Sequence, residues 1–313
     1  MATYKQTIGT DIQNFSSDPA NPVDGQVWYN TTSNTLKVRK PEIGAWATAN
    51  SMNTARAYLA GVGTQTAALG FGGYSPAQAV TESWNGTNWT EVNDLNTARG
   101  SFAGAGTNTA ALAFGGTPPS LALTELWNGT NWTEVNDLNT ARSYLAGVGT
   151  QTAALGFGGL GGGNVLTESW NGTSWTEVND LNTARLALAG AGTNTAALGF
   201  GGLGGGNVLT ESWNGTSWTE LNDLNSARYG LAGAGTQTAA LGFGGYTPGS
   251  TAVTESWNGT SWTELNDLNT ARTALGGAGT NTAALGFAGK IPPSTAVTEE
   301  WSTSGGTQTI STE

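Results

Sequence analysis

The sequence predicts an all-β chain, a six-bladed β-propeller with its last blade completed by an N-terminal strand, and three observations carry that expectation. Arg56, Arg99, Arg142, Arg185, Arg228 and Arg272 recur at intervals of 43, 43, 43, 43 and 44 residues, a regularity that a tandem structural repeat produces. Each interval has room for four short strands divided by turn residues. Each complete interval also carries two tryptophans five residues apart, whereas the array begins and ends on a single one, Trp46 and Trp301.

Within the unit that starts at Arg99, residues 101–105 are small and apolar and 109–114 are apolar, while 123–127 and 132–135 alternate. Glycine, proline or Asn-Gly separates these runs. Asn128-Gly129 predicts a two-residue type I′ turn joining the third and fourth strands. Four antiparallel strands followed at once by four more are the arithmetic of propeller blades stacked around an axis. A helical solenoid is disfavoured, because no window holds helical apolar spacing beyond a turn and 48 glycines are too many for helices.

An open last blade would expose an unpaired strand edge. Trp46 lies ten residues before Arg56, as Trp89 lies ten before Arg99, so Trp46 reads as a fourth-strand tryptophan whose first three strands come from the far end of the chain. The count is then six blades, the sixth built three strands plus one and fastened by Trp46 and Trp301. Burying one indole of ~200 Å² at ~25 cal/mol/Å² would stabilise this junction by about 5 kcal/mol as an upper bound.

The double glycine closing strand two, the glutamate and aromatic of strand three and the tryptophan opening strand four resemble the kelch repeat. Here they are Gly72-Gly73, Glu82, Trp84 and Trp89, recurring to Gly244-Gly245, Glu255, Trp257 and Trp262, over residues 46–301. The period is shorter than the usual kelch unit, and the last repeat reads Ala288-Gly289.

The array occupies residues 41–304, leaving an N-terminal segment, 1–40, and a tail, 305–313. The N-terminal segment has a different character: residues 18–24 hold two prolines and suggest an exposed linker, while 25–38, GQVWYNTTSNTLKV, reads as a hairpin with a polar turn. It resembles short hairpins of tail fibres and other virion proteins of tailed bacteriophages, which implies docking onto other virion proteins. The other reading is that Trp28 caps the propeller. No export signal is expected at Met1, and no apolar run is long enough to insert in a membrane.

Net charge is −11 and basic residues form no stripe, which argues against nucleic-acid partners. Histidine and cysteine are absent, so the copper chemistry of some kelch propellers is not expected, and no metal or cofactor is. Carboxylate chemistry of the glycosidase type stays open in principle. Glu82, Glu125, Glu168, Glu211, Glu255 and Glu299, however, occupy one equivalent position, and catalysis needs a unique constellation. Their number equals that of the repeat arginines, predicting a ring of six bidentate ion pairs and no catalytic residue. The Asn85-Gly86-Thr87 sequon is explained by the turn.

Repeats differ chiefly in two places, the loop after strand two and the three residues after each arginine. Antiparallel parity brings both to one end of the blades. That end, with Tyr58, Tyr74, Tyr144, Tyr229 and Tyr246, is the expected binding surface for a host glycan or protein. The leading expectation is a non-enzymatic virion structural protein, able to self-associate, that displays the propeller; the alternatives are a protein-binding kelch-like scaffold and a glycosidase.

Overall fold

The computed structural model of the chain describes residues 12–20, 22–23, 25–74 and 76–310. It divides into two units, residues 46–302 and residues 1–45 with 303–313. The larger unit is all-β, a propeller-like repeat of six four-stranded antiparallel sheets. In the first sheet Ala60–Thr64, Ala67–Gly73, Gln78–Trp84 and Trp89–Val92 follow one another as a meander. The same order recurs from Ala103–Gly106, Ala146–Thr150, Ala189–Gly192 and Ala232–Gly235. The sixth sheet takes Gly276–Gly279, Ala283–Phe287 and the start of Thr298–Thr309, and its fourth member is the end of Thr35–Ala49. Trp46 and Trp301 therefore stand side by side, ring centres 5.5 Å apart, as do Trp84 and Trp89 at 5.4 Å.

The strands differ from the sequence expectation at their starts. In the second repeat they are Ala103–Gly106, Ala111–Phe114, Thr124–Trp127 and Trp132–Val135. Ser101 cannot begin a strand because its φ is 54°, and residues 107–110 close a turn through Thr107 N–H to Ala110 O. The two-residue type I′ turn is also corrected. Trp127 pairs with Trp132, leaving four residues between the strands. Asn128 Oδ1 accepts the N–H groups of Thr130 and Asn131 at 2.9 and 2.8 Å, so the asparagine side chain closes the loop and only Gly129 takes a positive φ.

Neighbouring sheets interlock by one rule. The strand-two phenylalanine packs on the strand-four tryptophan of the next sheet, as Phe71 does on Trp132 at 4.9 Å, and that tryptophan's Nε1 donates to a strand-three threonine, Thr81, at 3.1 Å. Glycine in strand one admits the phenylalanine: a Cβ on Gly104 would lie 2.8 Å from Phe71 Cζ. The rule also joins the first sheet to the sixth. Trp89 packs on Phe287 at 4.9 Å and donates to Thr298 at 3.0 Å. Trp46 keeps it on the other side, against Phe243 at 4.8 Å and Thr254 at 3.0 Å. The apolar core lies between the sheets in clusters built around these tryptophans.

In the smaller unit, Val27–Asn30 pairs antiparallel with residues 35–38, and Gln13–Phe15 lies parallel beside it, a third strand that the sequence did not suggest. The region expected to be a linker supplies an anchor instead. Asp18 accepts from Trp28 Nε1 at 3.2 Å and Asn30 Nδ2 at 2.8 Å and pairs with Lys37 at 2.8 Å, which holds its carboxyl below the usual range. The indole N–H of Trp28 is thereby satisfied inside its own unit. The expected tail is strand to Thr309, and Ile310 N–H donates to Leu36 O at 2.8 Å. Residues 1–11 of the expected attachment segment lie outside the described residues.

Candidate functional site

The repeat arginines come first, because they set where the variable residues fall. Each sits two residues before a residue in the left-handed region: Tyr58, Ser101, Tyr144, Ala187, Gly230 and Ala274, with φ of 58°, 54°, 57°, 53°, 62° and 54°. Only glycine adopts this conformation without strain, so its recurrence at five other residues needs a compensating contact. The contact is a cycle of backbone hydrogen bonds. Ser101 N–H donates to Tyr58 O at 2.8 Å, Tyr144 to Ser101 at 2.6 Å, Ala187 to Tyr144 at 2.8 Å, Gly230 to Ala187 at 2.7 Å and Ala274 to Gly230 at 2.7 Å, and Tyr58 N–H returns to Ala274 O at 2.8 Å. Sequence reasoning missed this cycle. Its one signal was Gly230, masked by tyrosine, serine and alanine at the other positions.

The arginines themselves point away from this mouth into buried ion pairs. Arg56 meets Glu82 at 3.3 Å, Arg142 meets Glu168 at 3.0 Å, Arg185 meets Glu211 at 2.9 Å, Arg228 meets Glu255 at 3.1 Å and Arg272 meets Glu299 at 2.7 Å, and Arg99 pairs with Glu125. The pairs are not the bidentate forks expected. Each guanidinium reaches one carboxylate oxygen, because the other is taken by the asparagine three residues earlier. Asn182 shows this with its backbone N–H and Nδ2, both at 2.8 Å from Glu211 Oε2. The terminal nitrogens also donate to carbonyls, as Arg185 does to Gly201 at 3.0 Å and Leu209 at 2.8 Å, while its Nε is buried with no hydrogen-bond partner among the described residues. Burial pushes Arg56 and Arg228 down to about 10 against the opposing pull of Glu82 and Glu255, so both stay cationic at neutral pH. These twelve residues clamp each linker onto the sheet it enters.

Tyr58, Tyr144, Tyr229 and Tyr246 line a depression of about 430 Å³, shared with Ser250, Thr273 and Lys290. Tyr74 is not among its described lining residues; it meets Tyr58 edge-on at 6.4 Å, and Tyr144 meets Tyr58 edge-on at 6.0 Å. Tyr229 and Tyr246 pack obliquely at 5.3 Å. Parity of the strands tells which end of a sheet a loop reaches, not which way its side chain turns. The short hairpin of Tyr246–Thr247 and Gly249–Ser250 leans toward the last repeat, Ser250 Oγ donating to Lys290 O at 3.3 Å. Burial, with Tyr144 and Tyr229 nearby, raises the Tyr58 hydroxyl above its ordinary value, so it stays protonated and able to donate.

Among the described residues no carboxylate lines this depression. Asp94 and its counterparts are engaged elsewhere, Asp94 Oδ1 accepting from Thr81 N–H at 3.0 Å. Among the described residues there is no cluster of acidic residues able to hold a metal, and no helix long and apolar enough to cross a membrane. The arrangement can present aromatic faces, hydroxyls and one cation to a ligand. Comparison with known proteins finds no matching family and no matching curated protein.

Proposed function

We propose that the chain is a non-enzymatic binding protein, a six-bladed kelch-like β-propeller closed three strands plus one at Trp46 and Trp301, carried as a structural component of a virion. The observation that carries the binding reading is the tyrosine-lined depression, built from the residues that vary between repeats and set on a scaffold whose other features repeat six times. The cycle of backbone bonds and the packing of the first sheet on the sixth support closure. Recognition on a rigid scaffold concentrates in such loops, and the sixfold repetition of the buried carboxylates speaks for structure over catalysis. The virion reading rests on the likeness of residues 25–38 to phage tail hairpins. It assigns residues 1–40 to other virion proteins and the tyrosine end to a host-surface glycan or protein.

Two measurements test this. Mass spectrometry of purified particles from the source lysate is expected to find the chain in the particle fraction; its presence only in the free fraction would leave a soluble kelch-like scaffold. Replacing Tyr229 and Tyr246 together with alanine is expected to lower cell-surface binding at least tenfold, as loss of two aromatic anchors does, with the melting temperature within a few degrees of the parent. Full binding by that variant would remove the face from consideration.

A further inference from the structure

Cations in the larger unit are few and all but one are spent. Its only basic residues are the six repeat arginines and Lys290. The arginine side chains are fully buried in ion pairs. Lys290 is exposed, makes no ion pair among the described residues, and stands on the wall of the tyrosine-lined depression. The chain carries 22 acidic residues, and none of those described lines that wall. On a surface whose overall charge repels anions, a hollow with no acid among its described lining residues, and with the unit's one cation that makes no ion pair among the described residues, is where an anionic group is favoured.

The rest of the wall narrows the ligand class. Tyr229 and Tyr246 offer ring faces, and Ser250 and Thr273, whose hydroxyls donate to Lys290 O and Gly230 O, offer hydroxyl oxygens as acceptors. The six backbone N–H groups of the cycle already donate to the carbonyls of its own members. A peptide would find no free main-chain donors there to pair with, whereas a sugar needs only ring faces and side-chain hydroxyls. A volume of about 430 Å³ lies within the range of small-ligand sites and suits one or two pyranose rings.

Building on the binding role proposed above, we infer that this depression binds an acidic saccharide, with the sugar carboxylate at Lys290 and a pyranose face against Tyr229 and Tyr246. Calorimetric titration of the full chain with sialyllactose, a glucuronate-terminated disaccharide and uncharged lactose tests it. The acidic sugars are expected to bind at least about tenfold more tightly than lactose, a charge-assisted contact being worth that much. Salt at about 0.5 M should weaken them several-fold through screening. Lys290→Ala should lose about tenfold for the acidic sugars and nothing for lactose, and Lys290→Arg should retain most of the affinity.

Equal binding of lactose, indifference to Lys290→Ala, or no binding of any of the three at about 10 mM overturns the inference, as does tighter binding of an acidic peptide that displaces them. The Tyr229 and Tyr246 double variant separates the two levels. If it still abolishes cell-surface binding while these sugars fail to bind, the ligand class is wrong and the binding face stands. If it does not, the face itself is wrong.

Discussion

Trp46→Ala is expected to destabilise the larger unit by about 3–5 kcal/mol, the cost of removing a large buried aromatic, although Phe243, Thr254, Asn269 and Trp301, which it meets, lie 197 to 255 residues further along the chain. Its indole is 6% exposed, packs on Phe243 and Trp301 and donates to Thr254 Oγ1, and its carbonyl accepts from Asn269 Nδ2 at 3.1 Å. Trp89 has the same set of neighbours one sheet on, with Phe287, Trp84, Thr298 and Asn53. The two alanine variants should therefore lose similar stability, roughly a 10 °C drop for a domain of this size. Deletion of residues 1–52 should cost more, because it also removes the strand's hydrogen bonds at about 1 kcal/mol each. A loss under about 1 kcal/mol for Trp46→Ala, beside a large loss for Trp89→Ala, would mean that the terminal strand is not an integral part of the sixth sheet.

Arg185→Met is expected to cost a further class of energy, about 3–5 kcal/mol, because it strands a buried carboxylate. Glu211 would keep the two donors of Asn182 and lose its countercharge, Gly201 O would lose the arginine donor, and Leu209 O would keep only Gly201 N–H. Adding Glu211→Gln removes the stranded charge while keeping an acceptor for Asn182, so the double variant should recover a large part of the loss in urea denaturation. Sugar binding should be unchanged in both, since Arg185 does not line the depression. The pH dependence follows from burial. The folded-state values of Arg56 and Arg228 lie below the unfolded ones, so the unfolded chain holds more protons in between. Their burial cost is present in full at neutral pH and is relieved only as pH rises through about 10. Alkali below that point should not melt the protein through these arginines. An unfolding transition near pH 8 abolished by Arg56→Met would contradict this.

Counting residues made the strand-rich repeat legible because near-identical units expose any position that fails to repeat. Trp46 and Trp301 were visible as halves of a pair for that reason alone. Equal numbers of arginine and glutamate suggest partners but carry no information about which oxygen is free. The bidentate fork fails because Asn182 and its equivalents occupy the second oxygen, a contact across the linker that a linear pattern does not show. The Asn-Gly dipeptide was read as a backbone turn when the asparagine side chain does the closing. The cycle of left-handed residues was hidden because tertiary bonds impose at Tyr58, Ser101 and Tyr144 a conformation their residue types disfavour. At the candidate site, strand parity says which end of a sheet a tyrosine reaches but not its neighbours: Tyr246 lines the depression, whereas Tyr74 packs edge-on against Tyr58. Lys290 carried a signal in the sequence, as the single lysine of the array, that went unread there.

The proposed closure joins the first repeat to the last through several contacts, among them the hydrogen bond from Tyr58 N–H to Ala274 O. Native-state hydrogen exchange read residue by residue reports on it. The account predicts that the Tyr58 amide exchanges within about tenfold of the Ser101 and Tyr144 amides, since in a closed ring all open only with the same cooperative unit. Tyr58 exchanging orders of magnitude faster, while Ser101 and Tyr144 stay protected, would mean an open array of sheets and would contradict it.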